Sequence, residues 1–94
     1  MSRFQAVTAS GKTVDFPDDA PVIDVDVRED LRAGREPFGK IMSAVSALNP
    51  GEVLRVRATF APAPLLAVLG DRGFVNHMES QADDDWSVWF WLPA

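Results

Sequence analysis

The sequence predicts a small α/β protein, an α+β two-layer sandwich in which a four-stranded mixed sheet carries two helices on one face. Three stretches carry this expectation. In VIDVDVR, residues 22–28, Ile23, Val25 and Val27 alternate with Asp24, Asp26 and Arg28, the period-two pattern of a half-buried strand. From Pro37 onward Phe38, Ile41, Met42, Val45 and Leu48 recur at helical spacing and make one apolar stripe. In VLRVRATF, residues 53–60, period two returns, with Leu54, Val56, Ala58 and Phe60 opposed to Val53, Arg55, Arg57 and Thr59.

Residues 3–16 hold two short alternating runs around Ser10-Gly11-Lys12, a turn signal that predicts a hairpin, and PDDAP at 17–21 breaks the chain after it. Residues 1–20 are therefore read as an N-terminal hairpin or appendage and 21–94 as the domain proper. After the first strand, REDLRAGR reads as a polar loop. Pro37 suits a helix's first turn, where no intrahelical partner is lost, and Asn49-Pro50-Gly51 ends that helix. Pro62 and Pro64 open a second, shorter helix with Leu65, Leu66, Val68 and Leu69 as its apolar residues; Gly73 stops it. FVNHMES at 74–80 is a third strand, QADDD a polar turn, and WSVWFWL at 86–92 the last strand. The order is β-α-β-α-β-β. Right-handed crossovers put both helices on the same side of the sheet and leave the other face open.

With 94 residues, 47% of them apolar and 24% charged, the chain suits one soluble domain with a single core. No apolar run approaches the roughly 20 residues that cross a bilayer, and the start lacks the apolar core of a signal peptide, so a cytoplasmic protein without membrane contact is expected. The absence of cysteine removes disulfides, iron–sulfur ligation and thiolate nucleophiles. A net charge of −5 argues against nucleic acid, whose binding draws on neutralised phosphates.

Several short motifs together carry a family resemblance: Asp26-Val27-Arg28 after the first strand, Glu36-Pro37 at the helix start, Pro50-Gly51-Glu52 before the second strand, Pro64-Leu65 in the second helix and Gly73 before the third strand. Over roughly residues 22–92 the chain resembles the domain of unknown function 2249, related to the TusA/SirA-like sulfur carriers. The resemblance implies a TusA-like β-α-β-α-β-β sandwich in a bacterial cytoplasmic setting, with no established activity. Sulfur carriers of this fold bear a Cys-Pro-x-Pro motif at the first helix. Here that stretch is Gly34-Arg35-Glu36-Pro37, which has no carrier atom.

No catalytic motif, cofactor motif or metal set stands out. His77 is the one histidine, and on a strand it shares a side with Glu79 but not with Met78, too few ligands for zinc. Asp24 and Asp26 lie about 7 Å apart on one strand face and pair naturally with Arg55 and Arg57 of the neighbouring strand, which makes them poor proton shuttles. Asp83, Asp84 and Asp85 fan out from a turn and lack the spacing of a calcium loop. At the helix start, Arg35 and Glu36 either cap the helix or form an anion or ligand site on its positive end.

In the last strand Trp86, Val88, Phe90 and Leu92 form one side, Ser87, Trp89 and Trp91 the other. The first set belongs against the helices. The second places two indoles on the helix-free face near Arg55 and Arg57, too much apolar surface to leave wet. Three covers fit: the N-terminal hairpin through Phe4, Val14 or Phe16; a second copy or another protein; or a small aromatic ligand. The sequence reading is thus a non-enzymatic interaction or small-ligand-binding module with a site at Arg55, Arg57, Trp89 and Trp91, a second candidate at Arg35 and Glu36, and a protein partner or homodimer contact. The alternative is a cysteine-less relative of the sulfur carriers that docks to a sulfur-relay or metal-cofactor enzyme.

Overall fold

A computed structural model describes residues 4–8 and 10–93. The chain is α+β. A hairpin of β1 (Gln5–Val7) and β2 (Thr13–Asp15) precedes β3 (Val22–Asp26), α1 (Arg28–Arg32), α2 (Phe38–Ala47), β4 (Val53–Ala58), α3 (Ala63–Asp71), β5 (Val75–Ala82) and β6 (Asp85–Trp91). The main sheet runs β3-β4-β6-β5, with β3 and β4 parallel and the other pairs antiparallel. The hairpin strands pair with each other as a separate two-stranded sheet.

The alternation in β4 and β6 sets both layers. Leu54, Val56, Ala58, Val88 and Phe90 face the helices, where Ile41 and Val45 of α2 and Leu65 and Leu69 of α3 complete the main core. Val53, Val75, Trp89 and Trp91 face the other way, and Ala6 and Phe16 of the hairpin segment bury them, with Phe4, Val14 and Ala20 packed around. Phe4 lies 5.0 Å from the Trp89 ring, and Phe16 meets Trp91 edge-on at 5.2 Å. Of the three covers, the structure has the hairpin.

The helices end where the local chemistry dictates. The Glu36 carboxylate accepts the Phe38 amide at 2.6 Å and satisfies one orphan donor of α2. At the end of α3 the Phe74 amide reaches the Leu69 carbonyl and the Gly73 amide the Gly70 carbonyl, both at 3.0 Å. That closure needs the left-handed φ of 92° that Gly73 supplies without strain.

Four expectations are corrected. The polar stretch after β3 contains a short helix, α1, because β3 stops at Asp26 and the Asp26 side chain bonds the Arg28 amide at 3.0 Å, turning the chain. Ile23 is exposed because β3 is an edge strand with no neighbour beyond it among the described residues. Phe60 and Leu92, assigned by period two to the core side, lie past the ends of β4 and β6, where alternation no longer governs direction, and both are exposed. The polar turn shrinks to Asp83-Asp84, since β5 and β6 extend to Ala82 and Asp85 through an irregular register at Ser80 and Ala82.

Removing residues 1–17 is expected to red-shift tryptophan emission, since Trp89 and Trp91 lose their cover; an unchanged spectrum in a folded truncated chain contradicts this packing. Phe16→Ala, read by urea unfolding of the full chain, is expected to cost about 3 kcal/mol as a buried ring lost beside the indoles.

Candidate functional site

On the sheet face away from the helices, the register lays side chains out in rows across the strands. One row joins Asp24, Arg55, Trp89 and His77, the next Asp26, Arg57, Ser87 and Glu79. The hairpin covers one end of this face. Trp89 and Trp91 are each 3% exposed, and Phe4 extends the cover over His77, stacked at 3.9 Å and 9°. Trp91 Nε1 is buried without a hydrogen-bond partner among the described residues. Such a group costs on the order of 1–3 kcal/mol, which offsets part of what the hairpin contact contributes.

The polar end stays open as a shallow recess of about 320 Å³, lined by Arg55, Arg57, Glu79, Asp85, Ser87 and Trp89 among others. Its cations are engaged within the chain. Arg55 holds Asp24 through two hydrogen bonds, its Nη2 at 3.0 Å from Oδ2, and its guanidinium carbon lies 6.0 Å from the Trp89 ring. Arg57 turns to Asp85 at 3.5 Å, not to Asp26, and its Nε is buried without a hydrogen bond among the described residues.

Asp26 belongs instead to Arg28, which grips both carboxylate oxygens, Nε to Oδ1 at 3.0 Å and Nη2 to Oδ2 at 2.8 Å. That side-chain bond first, then the Arg28 amide and the charges of Arg28 and Arg57, hold the Asp26 carboxyl down at about 2 against its ordinary 3.8, in opposition to partial burial. Arg28 also lies 3.4 Å from Asp85, so one guanidinium ties the end of β3 to the β5–β6 turn. The Asp26-x-Arg28 pair is thereby a structural clamp. Nearby, Asp30 accepts from Lys40 and from Arg35, both at 3.1 Å, and these two bonds lower its pKa. His77 Nε2 lies 3.1 Å from Glu79. Among the described residues no group of three or more His, Cys, Asp or Glu side chains is placed to hold a metal ion.

Arg35 and Glu36 sit on the opposite side of the sheet from Arg55, Arg57, Trp89 and Trp91. There, beyond the carboxyl ends of the parallel strands β3 and β4, α1, the start of α2 and the β4–α3 loop surround a cavity of about 180 Å³. Its walls are Val27, Leu31, Ile41, Val56, Ala58 and Leu65, and its rim carries Glu36, Pro37, Phe38, Phe60, Pro62 and Pro64. Glu36 reaches it while capping α2; the Arg35 side chain is directed to Asp30 instead. Phe38 and Phe60 are 40% and 52% exposed, though both are large and apolar. Open α/β sheets bind ligands at this end of their strands.

Sequence reasoning reached the helix start but missed the pocket. Period two continues through Phe60 and sets it on the side of Leu54, Val56 and Ala58. The available signal lay in Pro62 and Pro64, which forbid that strand from continuing, and in residues 58–70, which contain no charged side chain although much of that stretch is at the surface.

The arrangement defines a small α+β sandwich with one apolar pocket at the carboxyl ends of its parallel strands. Residues 24–92 match the model of the family described as Uncharacterized conserved protein (DUF2249), and the chain belongs to that family. The match begins within β3, so the hairpin lies before it. No curated protein and no solved structure matches the chain. No helix among the described residues is long and apolar enough to cross a membrane.

The depressed pKa of Asp26 means that its pairing stabilises the fold above pH 3.8 and that this contribution fades as pH falls toward about 2. Wild type and Asp26→Asn are therefore expected to differ in urea midpoint at neutral pH and to converge through that window. The gap is roughly 1 kcal/mol or less, because a carboxylate 48% exposed is screened by solvent. A gap that stays constant down to about pH 2 contradicts the clamp.

Proposed function

We propose that this protein is a non-enzymatic interaction module that seats one apolar side chain of a partner polypeptide in the pocket at the start of α2. The observation that carries this reading is the pairing of an apolar cavity with two exposed phenylalanines on its rim. Size favours a side chain over a metabolite. Small-molecule sites usually enclose about 300–1,000 Å³, whereas an engineered cavity of about 150 Å³ takes up one benzene ring. At about 180 Å³ this pocket suits a single ring or branched aliphatic group. Interfaces concentrate their binding energy where an anchor residue fills a pocket and excludes water from it.

The sheet face of Arg55, Arg57, Trp89 and Trp91 is the weaker place for a partner. Its indoles lie under the hairpin, and its two guanidiniums are engaged by Asp24 and Asp85. At the helix start, the Glu36 carboxylate already occupies the positive end of α2 and repels a second anion. The pocket therefore selects for apolar shape, with Glu36 disfavouring acidic neighbours of the anchoring residue.

Toluene serves as a probe of the pocket. In saturation-transfer measurements with dilute protein, magnetisation is expected to pass to the ring, and Ala58→Leu, which grows into the cavity from its floor, is expected to abolish the transfer. Absence of transfer, or transfer indifferent to Ala58→Leu in a folded variant, overturns the reading.

A further inference from the structure

Building on the pocket as a seat for an apolar anchor, we infer that its occupant is a second copy of this chain: Phe60 of each copy enters the pocket of the other. A two-fold contact uses the same patch on both subunits, so that patch must be complementary to itself. This one is. It carries the hole and, at its rim, a phenyl ring 52% exposed, close to the size the hole accepts.

Charge distribution selects the same face. In a chain of net charge −5, a two-fold contact through an acidic surface sets like charges against each other. The β5–β6 connection and the segment before β3 carry clustered carboxylates, Asp83 to Asp85 and Asp18 with Asp19, while on the open sheet face Asp24 and Asp26 are taken up by Arg55 and Arg28. The helix layer differs. In α1 Arg28 and Arg32 offset Glu29 and Asp30, at the pocket mouth Arg35 offsets Glu36, and α2 and α3 carry one charged residue each, Lys40 and Asp71. The Lys40 ammonium is turned to its own chain, at 2.9 Å from the Asp26 carbonyl and 3.1 Å from Asp30. The charges of this face therefore nearly balance, and two copies can approach through the pocket, Phe38 and Phe60 while Glu36 of each is held by its own Phe38 amide.

Sedimentation equilibrium of the full chain from about 10 μM to 1 mM tests this. The wild type is expected to show a monomer–dimer equilibrium within that range. Phe60→Ala, which removes the knob, and Ala58→Leu, which fills the hole, are each expected to weaken it about tenfold or more. Phe38→Glu places a charge on the pocket rim, at a side chain 40% exposed, and is expected to weaken association with the fold intact. Mixing Phe60→Ala with Ala58→Leu restores one knob in one hole, so the mixture is expected to associate more tightly than either variant alone. Should Ala58→Leu fail to fold, Phe60→Ala and Phe38→Glu still decide the matter. A chain that stays monomeric to 1 mM, or a dimer indifferent to Phe60→Ala and Phe38→Glu, overturns the second copy as occupant. If toluene still enters the pocket in that case, the pocket reading survives; loss of toluene transfer in dilute wild type and in Phe60→Ala alike brings down the pocket itself.

Discussion

The structure depends on β6 being an interior strand with apolar side chains on both faces. Lying between β4 and β5, it sends Val88 and Phe90 into the helix core and Trp89 and Trp91 into the opposite one. A sheet with helices on one side alone leaves such a strand half wet. Burying an apolar side chain of this size is worth roughly 1.5–3 kcal/mol, so two exposed indoles represent a large unmet drive toward any apolar cover. The N-terminal hairpin meets it from within the chain. Phe4 and Phe16 lie against the rings, Ala6 is buried with them and Val14 packs on the cluster.

The polar end of that face is organised by charge. Arg55 with Asp24, Arg57 with Asp85, and Arg28 with both Asp26 and Asp85 draw three strands and the first helix together. Individually these partly exposed pairs contribute little. Their collective effect is positional: Arg28 anchors the point where β3 turns into α1, and that turn places Val27 and Leu31 on the pocket wall. On the helix layer, by contrast, α2 and α3 carry one charged residue each, Lys40 and Asp71.

The pocket itself follows from two proline-marked boundaries. Pro37 begins α2 just after α1 ends, and Pro62 and Pro64 divert the chain from β4 into α3. Between them, at the carboxyl ends of two parallel strands, the helix tops stand apart and leave a gap that no side chain fills. Phe60 has left the sheet by then, so its ring stands at the rim and not in the core.

The amino-acid sequence by itself determined the order of the strands and of the two longer helices, the spacing of α2, the two-sided character of the last strand and the absence of any thiol chemistry. Each of these is written in local periodicity or in residue type, which is why they could be read without coordinates. The hairpin was legible too, through Ser10-Gly11-Lys12, and so was the capping chemistry of Glu36. Only the tertiary structure decided what covers Trp89 and Trp91, which acid each arginine chooses, and that α1 forms in a polar stretch of five residues. Period two says which way a side chain points while the strand continues; it cannot say where the strand ends. Phe60 and Leu92 were misplaced for that reason, and Ile23 because period two does not say which strand lies at the edge; with Phe60 went the pocket, a property of three segments meeting in space and of none of them alone.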